Sequence, residues 1–158
     1  MTSDDYIKIF KESGALLEGH FVLTSGRHSS SYFQCAKVLQ YPKYLEMFSN
    51  EIASYFKDFE IDLVVSPAVG GIVIGTEVGR IMKKRTIFAE REDGKMRFRR
   101  GFNIKEKEKI LIVEDVITTG GSVKEVMQLI EKSGGVIEGV GVIAVSYTHL
   151  TLPTKRIV

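Results

Sequence analysis

The chain has 158 residues, 44% of them hydrophobic and 27% charged, with a formal net charge of +2. That length fits one domain with a substantial core, and the composition is that of an ordinary globular protein. So small a net charge gives no footprint for nucleic acid or an anionic membrane surface, and no window reaches the length of a membrane span.

The N-terminus, Met1-Thr2-Ser3-Asp4-Asp5, is acidic and lacks the apolar stretch of a signal peptide. With one cysteine, Cys35, no internal disulfide can form, which suits a reducing compartment and predicts a cytoplasmic protein. Cys35 lies in the strand-like run Tyr32-Phe33-Gln34-Cys35-Ala36 and reads as a small buried hydrophobe.

In chain order, Ser3 with Asp4 and Asp5 can cap a first helix whose inner side carries Ile7 and Phe10, and Gly14 ends it. Short alternating pieces follow around Phe21-Val22-Leu23 and Tyr32-Phe33, separated by the turn-rich Thr24-Ser25-Gly26-Arg27-His28-Ser29-Ser30. Pro42 suits the first turn of a helix carrying Leu45, Phe48, Ile52 and Phe56. Asp62-Leu63-Val64-Val65 then predicts a strand, followed by Gly70-Gly71 and a helix with Ile74, Val78, Ile81 and Met82. Thr86-Ile87-Phe88-Ala89 and Ile110-Leu111-Ile112-Val113 predict two more strands. The latter leads through a glycine-rich turn into a helix with Val123, Val126, Met127 and Ile130, and Gly134-Gly135 separates that helix from a strand over residues 136–145. Continuous apolar strands alternating with amphipathic helices predict an α/β fold, an open parallel sheet with helices on both faces. One domain is the economical division: an N-terminal elaboration over 1–40, a core over 41–145 and a tail over 146–158.

The chemistry concentrates after the third of these strands, where open α/β sheets collect ligands. Glu114 and Asp115 are adjacent carboxylates, an arrangement that repulsion and desolvation disfavour unless sugar hydroxyls or a cation reward it. Thr118-Thr119-Gly120-Gly121-Ser122 then offers hydroxyls and unobstructed N–H groups at a helix N-terminus, the chemistry of a phosphate cradle. Glycines alone would be explained by tight backbone geometry; the acids and hydroxyls together are more specific. No lysine follows the glycines, so the run is not a P-loop, and its glycine spacing is not that of a dinucleotide fingerprint.

The thirteen residues 110–122 resemble the phosphoribosyl pyrophosphate (PRPP) signature of the type I phosphoribosyltransferases. The resemblance implies that Glu114 and Asp115 hold the ribose hydroxyls, and that Val116, Ile117, Thr118, Thr119, Gly120, Gly121 and Ser122 complete the PRPP site around the 5-phosphate. It also implies Mg²⁺ carried by substrate oxygens, with no protein cage. Ser66-Pro67-Ala68-Val69-Gly70-Gly71 resembles the family's pyrophosphate-binding turn, with Ala68, Val69, Gly70 and Gly71 as its residues; some relatives carry lysine where this chain has Gly70.

Residues 19–36 resemble the N-terminal region of bacterial orotate phosphoribosyltransferases, a small hood over the flat base. By that resemblance Ser25, Gly26, Arg27, Tyr32, Phe33 and Thr118 would meet orotate. Physically, Tyr32 or Phe33 can stack on a pyrimidine, while Ser25 or Arg27 can meet a carboxylate. Residues 90–102 carry Arg91, Lys95, Arg97, Arg99 and Arg100, and Gly94 allows a mobile hairpin. Charge runs are often only solvated faces, but this one resembles the orotate enzymes' catalytic loop, which folds over the partner subunit's site. The resemblance implies a homodimer in which Arg91, Lys95 and Arg97 contact pyrophosphate across the dimer interface, with Lys95, Glu114 and Asp115 as catalytic residues. Relatives often have histidine at the position of Arg97.

After Val145 the family pattern of an Asp-Arg pair, glycines and another strand is replaced by Ser146-Tyr147-Thr148-His149-Leu150-Thr151-Leu152-Pro153-Thr154-Lys155-Arg156-Ile157-Val158. The tail reads as foreign, with the family's terminal strand missing or replaced and no counterpart of the arginine that contacts orotate there. The expectation is that PRPP binding survives while orotate turnover falls. Three alternatives stay open from sequence: another base as acceptor, a PRPP-sensing regulator, and a general phosphate-binding α/β module.

Overall fold

The computed structural model describes residues 1–22 and 26–145; the expectations for Ser25 and for the tail lie outside them. Helix α1 (Ser3–Glu12) starts one residue earlier than its acidic turn suggests, because Thr2 rather than Ser3 is the cap. Thr2 Oγ1 accepts the Asp5 N–H at 3.3 Å and Asp5 Oδ2 accepts the Thr2 N–H at 2.7 Å, a reciprocal capping box. Of its two expected inner residues, only Phe10 is buried, edge-on to Phe33 and stacked on Phe48, while Ile7 is exposed.

Strands β1 (Leu16–Val22) and β2 (His28–Phe33) form their own antiparallel pair, separate from the main sheet. Cys35 does not continue that strand; it caps the short helix α2 (Ala36–Leu39), and its predicted burial holds. Helix α3 (Pro42–Tyr55) has Pro42 in its first turn, where the missing N–H costs no hydrogen bond, and buries Phe48 and Ile52.

The remaining elements are β3 (Leu63–Pro67), α4 (Gly70–Met82), β4 (Arg85–Glu92), β5 (Lys95–Phe98), β6 (Lys109–Ile117), α5 (Gly121–Lys132) and β7 (Val136–Val145). They build a five-stranded sheet in the order β5-β4-β3-β6-β7, parallel except for β5. Leu63, Val64, Val65 and residues 110–113 are fully buried because both faces are covered, which is why these strands read as unbroken apolar runs. On one face Val64, Leu111 and Val113 pack with Phe48, Ile52, Ile74 and Val78 of α3 and α4. On the other, Leu63, Val65, Ile110 and Ile112 pack with Val123, Val126, Met127 and Ile130 of α5.

This covering positions the site. From β3 the chain crosses through α4 to β4 on one side, and from β6 through α5 to β7 on the other. The two crossovers diverge, so β3 and β6 flank a topological switch point. Pairing of β3 with β6 is recorded through Val65↔Ile112, whereas β6 stays paired with β7 through Ile117↔Val145. The acids therefore belong to β6 itself, on the stretch where its β3 side opens.

Candidate active site

A cavity of about 790 Å³ occupies this opening. One wall is Glu114, Asp115, Val116, Thr118, Thr119, Gly121 and Ser122, and another is Ala68, Val69 and Gly70. Tyr32 and Phe33 bring aromatic surface from β2, with Gln34, Cys35 and Ala36 beside them, and Arg91 reaches in from β4. A smaller recess of about 60 Å³ lies within the turn itself and adds Ile117, Gly120 and Val123 to the lining. Gly120 makes the turn at φ 81°, a conformation glycine adopts without strain, and Gly121 opens α5 with its N–H 3.4 Å from Thr119 Oγ1. Hydroxyls and a helix N-terminus thus meet in one concave recess, a geometry suited to an anion.

The acids are held against the start of α4. A Cβ at Gly70 would come within 2.8 Å of Asp115 Cγ, and one at Gly71 within 2.9 Å of Glu114 Oε1. The two glycines admit the carboxylates as well as any anion. Asp115 N–H donates to Glu114 Oε1 at 3.0 Å, and Val116 N–H donates to Asp115 Oδ1 at 2.7 Å. Glu114 is only 7% exposed, and desolvation, then the adjoining Asp115, pushes its carboxyl up to about 9. At neutral pH the Glu114 carboxyl is therefore protonated. Cys35 Sγ sits 3.8 Å from the Asp115 carbonyl oxygen, and burial with the two acids pushes its thiol up to about 12, so it contributes volume and not a nucleophile.

The residues singled out from sequence divide three ways. Residues 114–122 and the turn at 68–70 line the cavity or its recess, and Gly71 supports Glu114 from beneath. Tyr32 and Phe33 line it too: Tyr32 packs 5.9 Å from Phe21 and donates to Gln34 Oε1 at 3.3 Å, while Phe33 is anchored on Phe10. Gly26 and Arg27 are exposed and do not line the cavity.

The basic run forms the β4–β5 hairpin, closed by Asp93 and Gly94 at φ 52° and 76°. Arg91, expected to reach across a dimer interface, instead lines its own chain's cavity, because β4 runs up to that cavity's rim, whereas Lys95 and Arg97 do not line it. Arg97 and Arg99 pair with Glu92, and Arg99 and Arg100 with Glu90, so much of the run's charge is balanced within the hairpin. Lys95 is exposed at the tip and makes no ion pair among the described residues. Sequence reasoning missed Glu125, whose carboxylate grips Arg91 from α5; an exposed glutamate on a helix gives no local sign of such a partner.

Comparison with known proteins matches residues 43–147 to the phosphoribosyl transferase domain. The orotate phosphoribosyltransferase of Chlorobaculum parvum is 61% identical over 140 residues, covering 89% of this chain and 72% of that protein. That of Chlorobium phaeobacteroides (strain BS1) is 57% identical over 157 residues, 99% of this chain and 81% of that one. Among solved structures, orotate phosphoribosyltransferase from Aeropyrum pernix superposes with a TM-score of 0.71 at 24% identity, over 85% of this chain and 78% of that one, a likeness of fold. With its acids, hydroxyl turn and aromatic wall at the switch point, and with this degree of identity, the chain belongs to the orotate phosphoribosyltransferase family.

Proposed function

We propose that this chain transfers the 5-phosphoribosyl group of PRPP to orotate, giving orotidine 5-phosphate and pyrophosphate, in de novo pyrimidine biosynthesis. The observation that carries the reading is one cavity joining paired acids, an anion-seating turn and an aromatic wall. The family membership supports the same substrates.

A ring nitrogen of orotate attacks the anomeric carbon as its bond to the pyrophosphate oxygen breaks. Positive charge develops on the ribose and negative charge on the leaving group, so positioning and electrostatics dominate over covalent chemistry. The anion seat at 118–122 holds the 5-phosphate, and Asp115 and Glu114 accept the ribose hydroxyls beside the developing cation. The turn at 68–71 and Arg91 face the pyrophosphate. Tyr32 and Phe33 stack the base, with Thr118 at its edge; Gly26 and Arg27 belong to the same hood and would reach orotate only as the hood closes.

Mg²⁺ would be carried by the pyrophosphate and ribose oxygens of the substrate, with no cage of protein ligands, as hard oxygen donors of a phosphorylated substrate allow. Bound with the substrate, it would neutralise the leaving pyrophosphate. We propose further that the chain works as a cytoplasmic homodimer in which Lys95 and Arg97 serve the second subunit's cavity. Lys95, exposed and in no ion pair among the described residues, supports that arrangement, and a sole cysteine buried as a free thiol suits a reducing compartment. No helix among the described residues is long and apolar enough to cross a membrane.

The test is PRPP consumption with orotate and with adenine as acceptor. Orotate-dependent release of pyrophosphate is expected; release with adenine alone would reassign the acceptor, and binding of PRPP without turnover would make the chain a sensor.

A further inference from the structure

Glu125 lies on α5, outside the run that seats the phosphate, yet two residues of the hairpin converge on it. Arg91 Nη2 donates to Glu125 Oε1 at 2.8 Å and Nη1 to Oε2 at 3.1 Å, while the Met96 N–H donates to Oε2 at 3.4 Å. The second Nη1 hydrogen goes to the Gly94 carbonyl at 3.2 Å. A guanidinium has five N–H donors in a fixed fork. This arrangement uses both hydrogens of Nη1 and one of Nη2, leaving Nε–H and the other Nη2 hydrogen without a bond among the described residues. Those two are parallel and form one edge of the fork, the edge that engages two phosphoryl oxygens side-on.

We propose that Glu125 is a positioning residue that fixes Arg91 in the wall of its own subunit's cavity and presents that edge to the pyrophosphate of PRPP. The inference rests on the reading of the cavity as a PRPP site. Glu125 belongs to the helix whose N-terminus carries the anion seat, so the clamp locks the leaving-group arginine to the same rigid body as the 5-phosphate site. Without Glu125 the guanidinium would be ordered only by the Gly94 carbonyl and the ligand, and small displacements of a charged group beside a leaving pyrophosphate are costly.

Two effects of removing this carboxylate have opposite signs, which makes the proposal decidable. A negative charge near the cavity repels a polyanion, so if Glu125 acted through charge alone, Glu125→Gln would tighten PRPP binding. If Glu125 acts by holding Arg91, the same substitution weakens it. The experiment measures the Kd of PRPP·Mg²⁺ by calorimetry, and the KM for each substrate, in the wild type, Glu125→Gln, Glu125→Ala, Arg91→Ala and the Arg91/Glu125 double alanine variant.

The expected result is a roughly ten-fold rise in PRPP Kd and KM for both Glu125 variants, with orotate KM little changed. In the Arg91→Ala background, removing Glu125 should cost less than about two-fold, because its partner is already gone. Glu125→Gln keeps an oxygen for the Met96 N–H, so it remains a fair test if the alanine variant loses the hairpin. Unchanged or tighter PRPP binding in Glu125→Gln would overturn the proposal alone, as would an undiminished Glu125→Ala effect in the Arg91→Ala background. A wild-type chain that fails to bind PRPP at all would overturn the underlying reading of the cavity and the proposal with it.

Discussion

Glu114 is the residue whose state depends most on its surroundings. An ordinary glutamate carboxyl titrates near 4.5, whereas burial and Asp115 push this one to about 9. Between those values the folded protein holds a proton that the unfolded chain has released, so folding is linked to proton uptake. The stability this contributes is fully present below pH 4.5 and is lost as pH rises towards 9. Denaturant unfolding of the ligand-free protein across that window should show a decline. In Glu114→Gln, which keeps the neutral shape, the decline should be shallower; an identical slope would show that Glu114 ionises normally. Sequence revealed the pairing of the acids and the need for something to reward it, because adjacency is local. It could not reveal which acid keeps the proton, since that follows from how the start of α4 closes over Glu114.

Elements were legible where one kind of signal governed them. Residues 110–113 and the helix with Val123, Val126, Met127 and Ile130 formed as their periodicity required, all of those side chains being buried. The β4–β5 hairpin was harder to read, since charge dominated its composition. Its alternation is visible only once Met96 is seen to be buried and Lys95 and Arg97 exposed. The tight turn depends on Gly94 at φ 76°, with open space around the position of its absent Cβ. Gly94→Ala therefore meets no clash, and its cost is conformational, about 1–2 kcal/mol. Thermal unfolding should register that loss; a wild-type midpoint would mean that the turn relaxes into another form. At α1 the cap moved from Ser3 to Thr2 because Asp5 sits three residues after Thr2 and can return the hydrogen bond to its N–H.

At the scale of the whole molecule, the sheet brings Arg91 into its own cavity and leaves Lys95 outside it, so one basic hairpin would serve two sites. If the proposed homodimer works this way, Lys95→Ala and Asp115→Asn proteins, each nearly inactive, should complement when co-expressed. Random pairing makes half the dimers mixed, each with one intact site, giving about a quarter of wild-type turnover. No recovery would place Lys95 in the same subunit as the Asp115 it serves, or outside catalysis.

Sequence by itself determined the alternation of strands and helices, the strand-end location of the acids and the hydroxyl-and-glycine turn that follows them. Each depends on the order and spacing of neighbouring residues, which period and turn chemistry translate directly into structure. Only the tertiary structure decided that Glu125 grips an arginine 34 residues away, that Cys35 lies against Asp115, 80 residues distant, and that Glu114 is buried enough to stay protonated. Ion pairing and desolvation depend on which surfaces the crossovers bring together, and side chains far apart along the chain carry no local mark of that meeting.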